Sequence, residues 1–493
     1  MSDASIALNR FGLGAKAGAR PPADPRRALI DQFGAFDPRP APIAALPRTQ
    51  AIAAQLADYL AEVRQLAQDA RRERAVDGGA MKDQPAGAAA GRGNGAARDP
   101  AMRARQFARQ QGRDHYVNAI GARAQAAVAT ETPFVERLVH FWSNHFAVSA
   151  DKITMIGLTG AFEFDAIRPH VLGRFRDMLF AVERHPAMLL YLDQAQSVGP
   201  DSMVGQAAAQ RQQRQRVGLN ENLAREILEL HTLGVRTGYT QADVTEFARA
   251  MTGWSVAGLG RGPAARVAGL NGEPGSFIFA PRIHQPGVRT ILGKKYDQAG
   301  EAQAAAVLDD LSVHPATARH IATKLARHFA GDDPPPALVS RLETAFLASG
   351  GDLPTVYRAL IDAPETWATQ PVKFKTPWEW SVSAMRALGT QEIPSAAVVG
   401  LMDQLGQPVW RPGSPAGYDD IAASWAGPDA VMRRVEAAER LAARTRETID
   451  ARVRAAQLFP DALGAPTAQA IARAESPAQG VALMLVCPEF LRR

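Results

Sequence analysis

The chain has 493 residues, of which 46% are hydrophobic and 7% aromatic, so it is long enough to bury a large core without covalent cross-links. Its single cysteine, Cys487, excludes an intramolecular disulfide and a cysteine-rich metal site. The net charge of +6 comes mainly from arginines that are spread along the chain among acidic residues, and the sequence contains no recognised nucleic-acid-binding motif. We therefore do not expect nucleic acid as a partner.

Alanine and leucine dominate the apolar residues, and this composition favours helices because both residues lose little free energy on entering one. The first ten residues lack the basic leader and apolar run of a secretory signal. The sequence has no apolar stretch long enough to cross a bilayer. These features predict a soluble, mainly α-helical protein of the cytoplasm without a membrane span.

Composition divides the chain into five regions. Residues 77–100 are rich in glycine and alanine and lack periodic apolar positions, which predicts a flexible low-complexity insertion between helical flanks. Segment 195–218 is polar and aperiodic, and segment 406–418 holds too many prolines for a helix, so both are predicted loops. The predicted regions, which could share one core, are N-terminal helical (1–76), insertion (77–100), central helical (101–260), β-hairpin arm (261–300) and C-terminal helical (301–493).

Capping residues mark several helix ends. Thr132 precedes a proline at a first helical position. Thr240 begins a Thr-x-x-Asp capping box and Thr376 a Thr-x-x-Glu box, and Ser476 begins the related Ser-x-x-Gln pattern. Glycines follow three periodic stretches, as is typical of helix C-termini: Gly234, Gly253 and Gly331.

The β signal lies between residues 276 and 292. Two short runs, 276–279 and 288–292, are rich in β-branched and aromatic residues. They flank Pro286 and Gly287, which together are a turn signal. The sequence therefore predicts one small β-hairpin or β-arm in an otherwise helical protein.

Two predicted helices place a histidine on an apolar face. With residues projected at roughly 100° each, His145 falls among the apolar side chains of helix 134–146, and His231 does so in helix 220–233. The functional interpretation is a buried polar site in which Asn144 and both imidazoles bind a ligand or a divalent metal. The simpler interpretation is that each imidazole donates one hydrogen bond near a helix end and is an ordinary core residue.

Acidic residues follow on the second of these helices. Glu226 or Glu229 could supply a carboxylate to a metal held by the imidazoles. Glu221, Arg225 and Glu229 form an acid–base–acid ladder with a spacing of four residues. Such a ladder is usually a stabilising ion-pair stripe, although Arg225 could instead bind an anionic ligand.

A basic face lies further along the chain. His320, Lys324 and Arg327 fall on one side of a predicted helix and are candidates for binding phosphate or an acidic partner. The alternative is that they form a solvated basic surface.

The sequence closely resembles the bacterial "domain of unknown function 1800" family over nearly its whole length. The strings that carry the resemblance are Asn9 to Gly14, Phe141 to Phe146, His185 to Asp193, Asn220 to Glu226, Glu229 to Val235, Gly238 to Gln241, Thr252 to Trp254 and His314 to Arg319. Two positions depart from the family pattern, Gln194 and Gln285, where asparagine and an acidic residue are expected.

The resemblance implies a predominantly helical fold and no known activity. Members of the family are typically encoded beside an exported protein that resembles the alkaline phosphatase and sulfatase superfamily, which implies a physical or functional partnership with that neighbour. Candidates named above lie in the shared strings, among them His145, Glu221, Arg225, Glu226 and His231.

Two functional hypotheses follow. The leading one is an accessory or binding protein that acts with a partner through a polar pocket. The alternative is a metal-dependent or hydrolytic enzyme that uses His145, His231 and nearby acids. An enzyme of that kind requires these side chains to converge around an open cleft.

Overall fold

The computed structural model describes most of the chain in six stretches. They cover residues 1–80, 100–210, 218–259, 270–371, 373–445 and 448–493. Most of the predicted insertion, residues 81–99, thus lies outside the described residues, whereas the long helices on either side of it confirm the predicted helical flanks. None of the described helices is both long and apolar enough to cross a membrane.

The fold is mainly α-helical, as predicted. The α-helices of the first half are Asp3–Ile6, Pro25–Ala35, Ala41–Ala44, Thr49–Ala80, Pro100–Ala129, Pro133–His145, Leu158–Phe162, Phe175–Glu183, Pro186–Tyr191, Met203–Gln210, Asn222–Glu226 and Gln241–Met251. Those of the second half are Glu301–Ser312, Pro315–Ala330, Pro336–Ser349, Leu353–Asp362, Pro377–Leu388, Ser395–Gln404, Pro428–Arg444, Ala451–Leu458, Ala465–Ala472, Pro477–Val486 and Pro488–Leu491. Helices also continue into π-helical turns at Ala7–Phe11, Glu163–Ile167 and Ile227–His231.

Two small antiparallel sheets, rather than one hairpin, occupy the predicted β region. Strand β1 (Trp254–Val256) pairs with β2 (Phe277–Phe279), and β3 (Arg289–Ile291) pairs with β4 (Lys294–Tyr296). The sequence placed β2 and β3 correctly, and each of these two runs pairs with a strand that lies outside residues 276–292.

The tight turn of this region lies between β3 and β4. Leu292 and Gly293, between β3 and β4, both have positive φ, of 51° and 75°. Two successive residues with positive φ are what a two-residue hairpin turn requires. Pro286 and Gly287 instead lie in the longer connection that leads from β2 to β3.

Most of the predicted helix ends are confirmed. Thr240 and Thr376 each form a complete capping box with the acidic residue three positions later. The predicted loop 195–218 is wrong in part, because Met203–Gln210 is a helix with Val204 and Ala208 buried, and Val204 belongs to a small apolar cluster. Residues 211–217 of that segment lie outside the described residues. Segment 406–418 has no helix, as predicted.

The helix Pro133–His145, called the central helix below, determines where the functional residues lie. Its apolar side is buried, and the indole nitrogen of Trp142 donates a hydrogen bond of 2.6 Å to the Tyr357 hydroxyl. Its polar side is largely buried too. Glu136 accepts two hydrogen bonds, of 2.7 and 3.0 Å, from the equally buried Arg168. The polar stripe of this helix thus faces other polar groups inside the protein.

Candidate functional site

Two imidazoles cap the end of a π-helical turn. The last carbonyl groups of a helix have no donor within the helix itself. At the end of the turn Ile227–His231, the carbonyl oxygen of Leu230 lies 3.1 Å from Nε2 of His320, and that of His231 lies 3.1 Å from Nε2 of His145. A carbonyl only accepts, so both histidines carry their proton on Nε2 and leave Nδ1 as an acceptor.

The free acceptor of His145 is used by a lysine. Lys324, from the helix Pro315–Ala330, places Nζ 3.0 Å from Nδ1 of His145. Burial, followed by the charge of Lys324, holds the pKa of His145 well below its usual value. Burial also lowers the pKa of Lys324 to about 8. We call the helix Pro315–Ala330 the lysine helix.

His231 is paired with an acid that the sequence analysis missed. Its Nδ1 lies 2.8 Å from Oε1 of Glu183, and both side chains are fully buried. The predicted partners, Glu226 and Glu229, are not in this contact. The sequence did contain a signal for this acid. Glu183 lies four residues after Leu179 and eight after Phe175, so helical periodicity places it on the same buried face of its helix.

The acid–base–acid ladder is an ion-pair stripe. Arg225 lies 3.2 Å from Glu221 and 3.5 Å from Glu229, and all three side chains are partly exposed. Glu221 also accepts hydrogen bonds from Gln241 and Thr245. Exposed pairs of this kind contribute little to stability. The ladder does not line the cavity described next.

A cavity of about 340 Å³ opens beside the central helix and the lysine helix. We call it the polar cavity. Its walls include aromatic side chains from three parts of the chain: Phe141, Trp378, Trp410 and Tyr418. Its polar lining includes His145, Lys324 and Arg327. These three predicted candidates and Asn144 therefore converge on one space, whereas His231 and the acids on its helix are not part of its lining.

Asn144 also lines the cavity, but its amide is already used. Its Nδ2 donates to the backbone oxygen of Tyr418 at 2.8 Å, and its Oδ1 accepts from the backbone nitrogen of Tyr418 at 2.8 Å. This reciprocal pair fixes the loop that follows Trp410 across one side of the cavity. Asn144 thus shapes the cavity by holding the loop in place.

A network of buried charges also borders the cavity and contributes Arg137, His328, Glu379 and Asp420 to its lining. Arg137 and Arg493 both contact Oε1 of Glu379, the latter at 2.9 Å. Burial alone would raise the pKa of Glu379, but Arg493 and Arg137 outweigh it and hold the pKa below its usual range. His328 and Lys373 likewise outweigh the effect of burial on Asp420.

These charges are largely matched with one another. His328 donates from Nδ1 to Asp420 at 2.8 Å, and its Nε2 accepts from Arg137 at 3.4 Å. Lys373 lies 3.1 Å from the other carboxylate oxygen of Asp420. Arg123, on a further wall, is paired with Glu163 at 2.9 Å.

Lys324 and Arg327 differ from these groups. Lys324 donates to a neutral imidazole, and Arg327 donates from Nε to the backbone oxygen of Asp332 at 3.3 Å. Within the part of the chain that the structure describes, neither makes an ion pair. They are one helical turn apart, so one wall of the cavity carries two cations without a directly paired acid, although the charge of Asp420, which also lines the cavity, raises the pKa of Lys324 against the effect of burial.

The donor groups do not fit a metal centre. Both ring nitrogens of His145 are hydrogen-bonded, and Nδ1 of His231 is occupied by Glu183. Across the six described stretches, no three histidine, cysteine or acidic side chains are grouped so that they could hold a metal ion. The arrangement therefore offers an anion two positive groups but offers a cation no ligand set.

The fold and this cavity together define a mainly helical protein with a buried polar pocket. The chain matches the family model described as a protein of unknown function (DUF1800) over residues 6–492 and belongs to that family. Neither the curated proteins nor the solved structures included a match.

The identity of the acid beside His231 can be tested by substitution. We expect Glu183→Ala to lower the free energy of unfolding by about 2–4 kcal/mol, because it leaves a buried imidazole N–H unsatisfied and opens a void. Glu226→Ala and Glu229→Ala, at partly exposed positions, should each lower the free energy of unfolding by less than about 1 kcal/mol. Urea denaturation followed by tryptophan fluorescence measures all three. A larger loss in Glu226→Ala than in Glu183→Ala would contradict the assignment.

The buried histidines predict a pH dependence of stability. Burial lowers the pKa of His185, His320 and His328 to about 4. Between pH 6.5 and 4 the unfolded chain therefore binds more protons than the folded protein, so the free energy of unfolding falls as the pH falls. Each such proton contributes about 1.4 kcal/mol per pH unit.

Between pH 6 and 5 we expect the free energy of unfolding, measured by urea denaturation, to fall with a slope that corresponds to the uptake of at least two protons on unfolding. Repeating the series at high salt is the control, because salt screens general charge repulsion but leaves the desolvation of buried imidazoles in place. A flat profile would show that these imidazoles are protonated inside the folded protein.

Proposed function

We propose that the protein is an accessory or binding protein whose polar cavity holds a small anionic group, such as a carboxylate or a phosphate. One observation carries the proposal: Lys324 and Arg327 line the cavity on successive turns of the lysine helix, and neither has an ion-pair partner among the described residues. Removing a cation from water is costly when it makes no direct ion pair, and a bound anion would offset that cost.

The shape of the cavity supports the same proposal. Its volume of about 340 Å³ lies at the lower end of the range of small-molecule pockets. The aromatic walls suit an apolar body, and the two cations suit an acidic end. A compact acid with a planar or apolar body fits both features.

The enzyme alternative has less support. His145 is held between a backbone carbonyl and Lys324, and His231 is held by Glu183 outside the cavity. Nε2 of His328 accepts a hydrogen bond from Arg137, although a general base would need this nitrogen free to take a proton from a substrate. These imidazoles hold backbone and charged groups in place, whereas a hydrolytic site needs an imidazole that can contact the substrate.

Binding of two probes, inorganic phosphate and benzoate, tests the proposal by calorimetry. We expect Lys324→Met and Arg327→Ala each to weaken binding by about tenfold or more, since each removes a charge-assisted hydrogen bond. Binding to the wild-type protein should also weaken as the pH rises through about 8, where Lys324 loses its proton.

The matched control is Arg319→Ala. Arg319 is on the same helix but is exposed and paired with Glu343, so this variant should bind as the wild type does. Absence of binding of both probes, or equal affinities in Lys324→Met and Arg319→Ala, would overturn the proposal.

We further propose that the anionic group belongs to a protein partner. The resemblance described above suggests the exported neighbour that is similar to alkaline phosphatases and sulfatases. Because we propose the cytoplasm as the compartment of this chain, the contact would precede export of that partner. Purified proteins mixed in equimolar amounts should then form a complex in size-exclusion chromatography that Lys324→Met weakens and Arg319→Ala does not. Separate elution in every case would rule this partner out.

A further inference from the structure

A second, larger cavity lies in the C-terminal part of the fold. It has a volume of about 1000 Å³. It runs between the C-terminal ends of the helices Pro377–Leu388 and Pro428–Arg444 and the helix Ser395–Gln404. We call it the C-terminal groove. Its lining residues all differ from those of the polar cavity, so the two spaces are separate.

The floor of the groove is apolar and only partly covered. Leu388, Ile393, Leu401 and Leu441 line it and remain partly exposed. Large apolar side chains that gather in one concave surface and stay in contact with water gain free energy when a ligand covers them.

The rim of the groove is cationic. Three arginines, Arg440, Arg444 and Arg454, line it together with one acid, Glu392. Arg440 donates to the side-chain oxygen of Gln404, and Arg454 donates to a backbone oxygen, so the partners of both are neutral. Within the described stretches none of the three arginines makes an ion pair. Partial burial also lowers the pKa of Arg454, as expected for a cation that lacks a counter-ion.

We propose that the C-terminal groove binds an amphiphile with one long alkyl chain and an anionic head, of the fatty-acid class. The alkyl chain would cover the leucine-rich floor, and the head would lie between the arginines of the rim. Among the residues that the structure describes, an apolar floor next to a rim with three positive charges and one negative charge matches the two ends of such a molecule.

Displacement of a fluorescent fatty acid tests this proposal with three probes that share a twelve-carbon chain. We expect dodecanoate to bind most tightly, dodecanol more weakly, and dodecyltrimethylammonium most weakly, because the rim repels a positive head. The double variant Arg440→Ala/Arg444→Ala should bind dodecanoate about tenfold more weakly and bind dodecanol with unchanged affinity. Leu441→Glu should weaken both.

Two controls locate the site. Arg452→Ala removes an exposed arginine that is paired with Asp450 outside the groove and should bind dodecanoate as the wild type does. Lys324→Met, in the polar cavity, should do the same. The proposal is overturned if dodecanoate does not bind, if the double variant binds it as well as Arg452→Ala does, or if Lys324→Met abolishes binding. Binding of acidic peptides but not of dodecanoate would overturn it as well.

Discussion

The buried guanidinium of Arg137 joins three distant parts of the chain. Its Nε donates to the backbone oxygen of Gly12 at 2.8 Å, and its Nη1 contacts Glu379 and His328. The arginine is almost completely buried, so its charge must be met by these partners. The N-terminal segment, the central helix, the lysine helix and the helix Pro377–Leu388 are thereby held around one polar centre, and the polar cavity forms at its edge.

The sequence was informative where the signal is local. Capping boxes, positive-φ glycines and apolar periodicity depend on neighbours within a few residues, and they predicted the helical class and most helix ends. The same periodicity placed His145 and His231 on buried faces, where the structure has them. For His145 the arrangement matches the simpler interpretation, since the imidazole donates to a backbone carbonyl at the end of a helical turn.

The rest of the site depends on contacts that a single sequence does not encode locally. Glu183 meets His231 across 48 residues, and Asp420 meets His328 across 92. Periodicity shows that a polar residue faces inward, but it does not show which inward-facing residue it will meet. The partner of each strand was not predictable for a related reason, because the turn at Leu292 and Gly293 contains only one residue type, glycine, that readily adopts a positive φ.

The spacing of the Arg137 network has a consequence for how the chain folds. Its contacts span 191 residues to His328 and 242 residues to Glu379. Closing such long loops costs conformational entropy before the contacts can offset it, and folding slows as contacts become more distant in sequence. Until both partners arrive, the central helix would carry an unmatched charge on its inner face. Assembly of this centre is therefore expected to be a late and cooperative event, which leaves the helices of the N-terminal half dependent on the C-terminal half for their final packing.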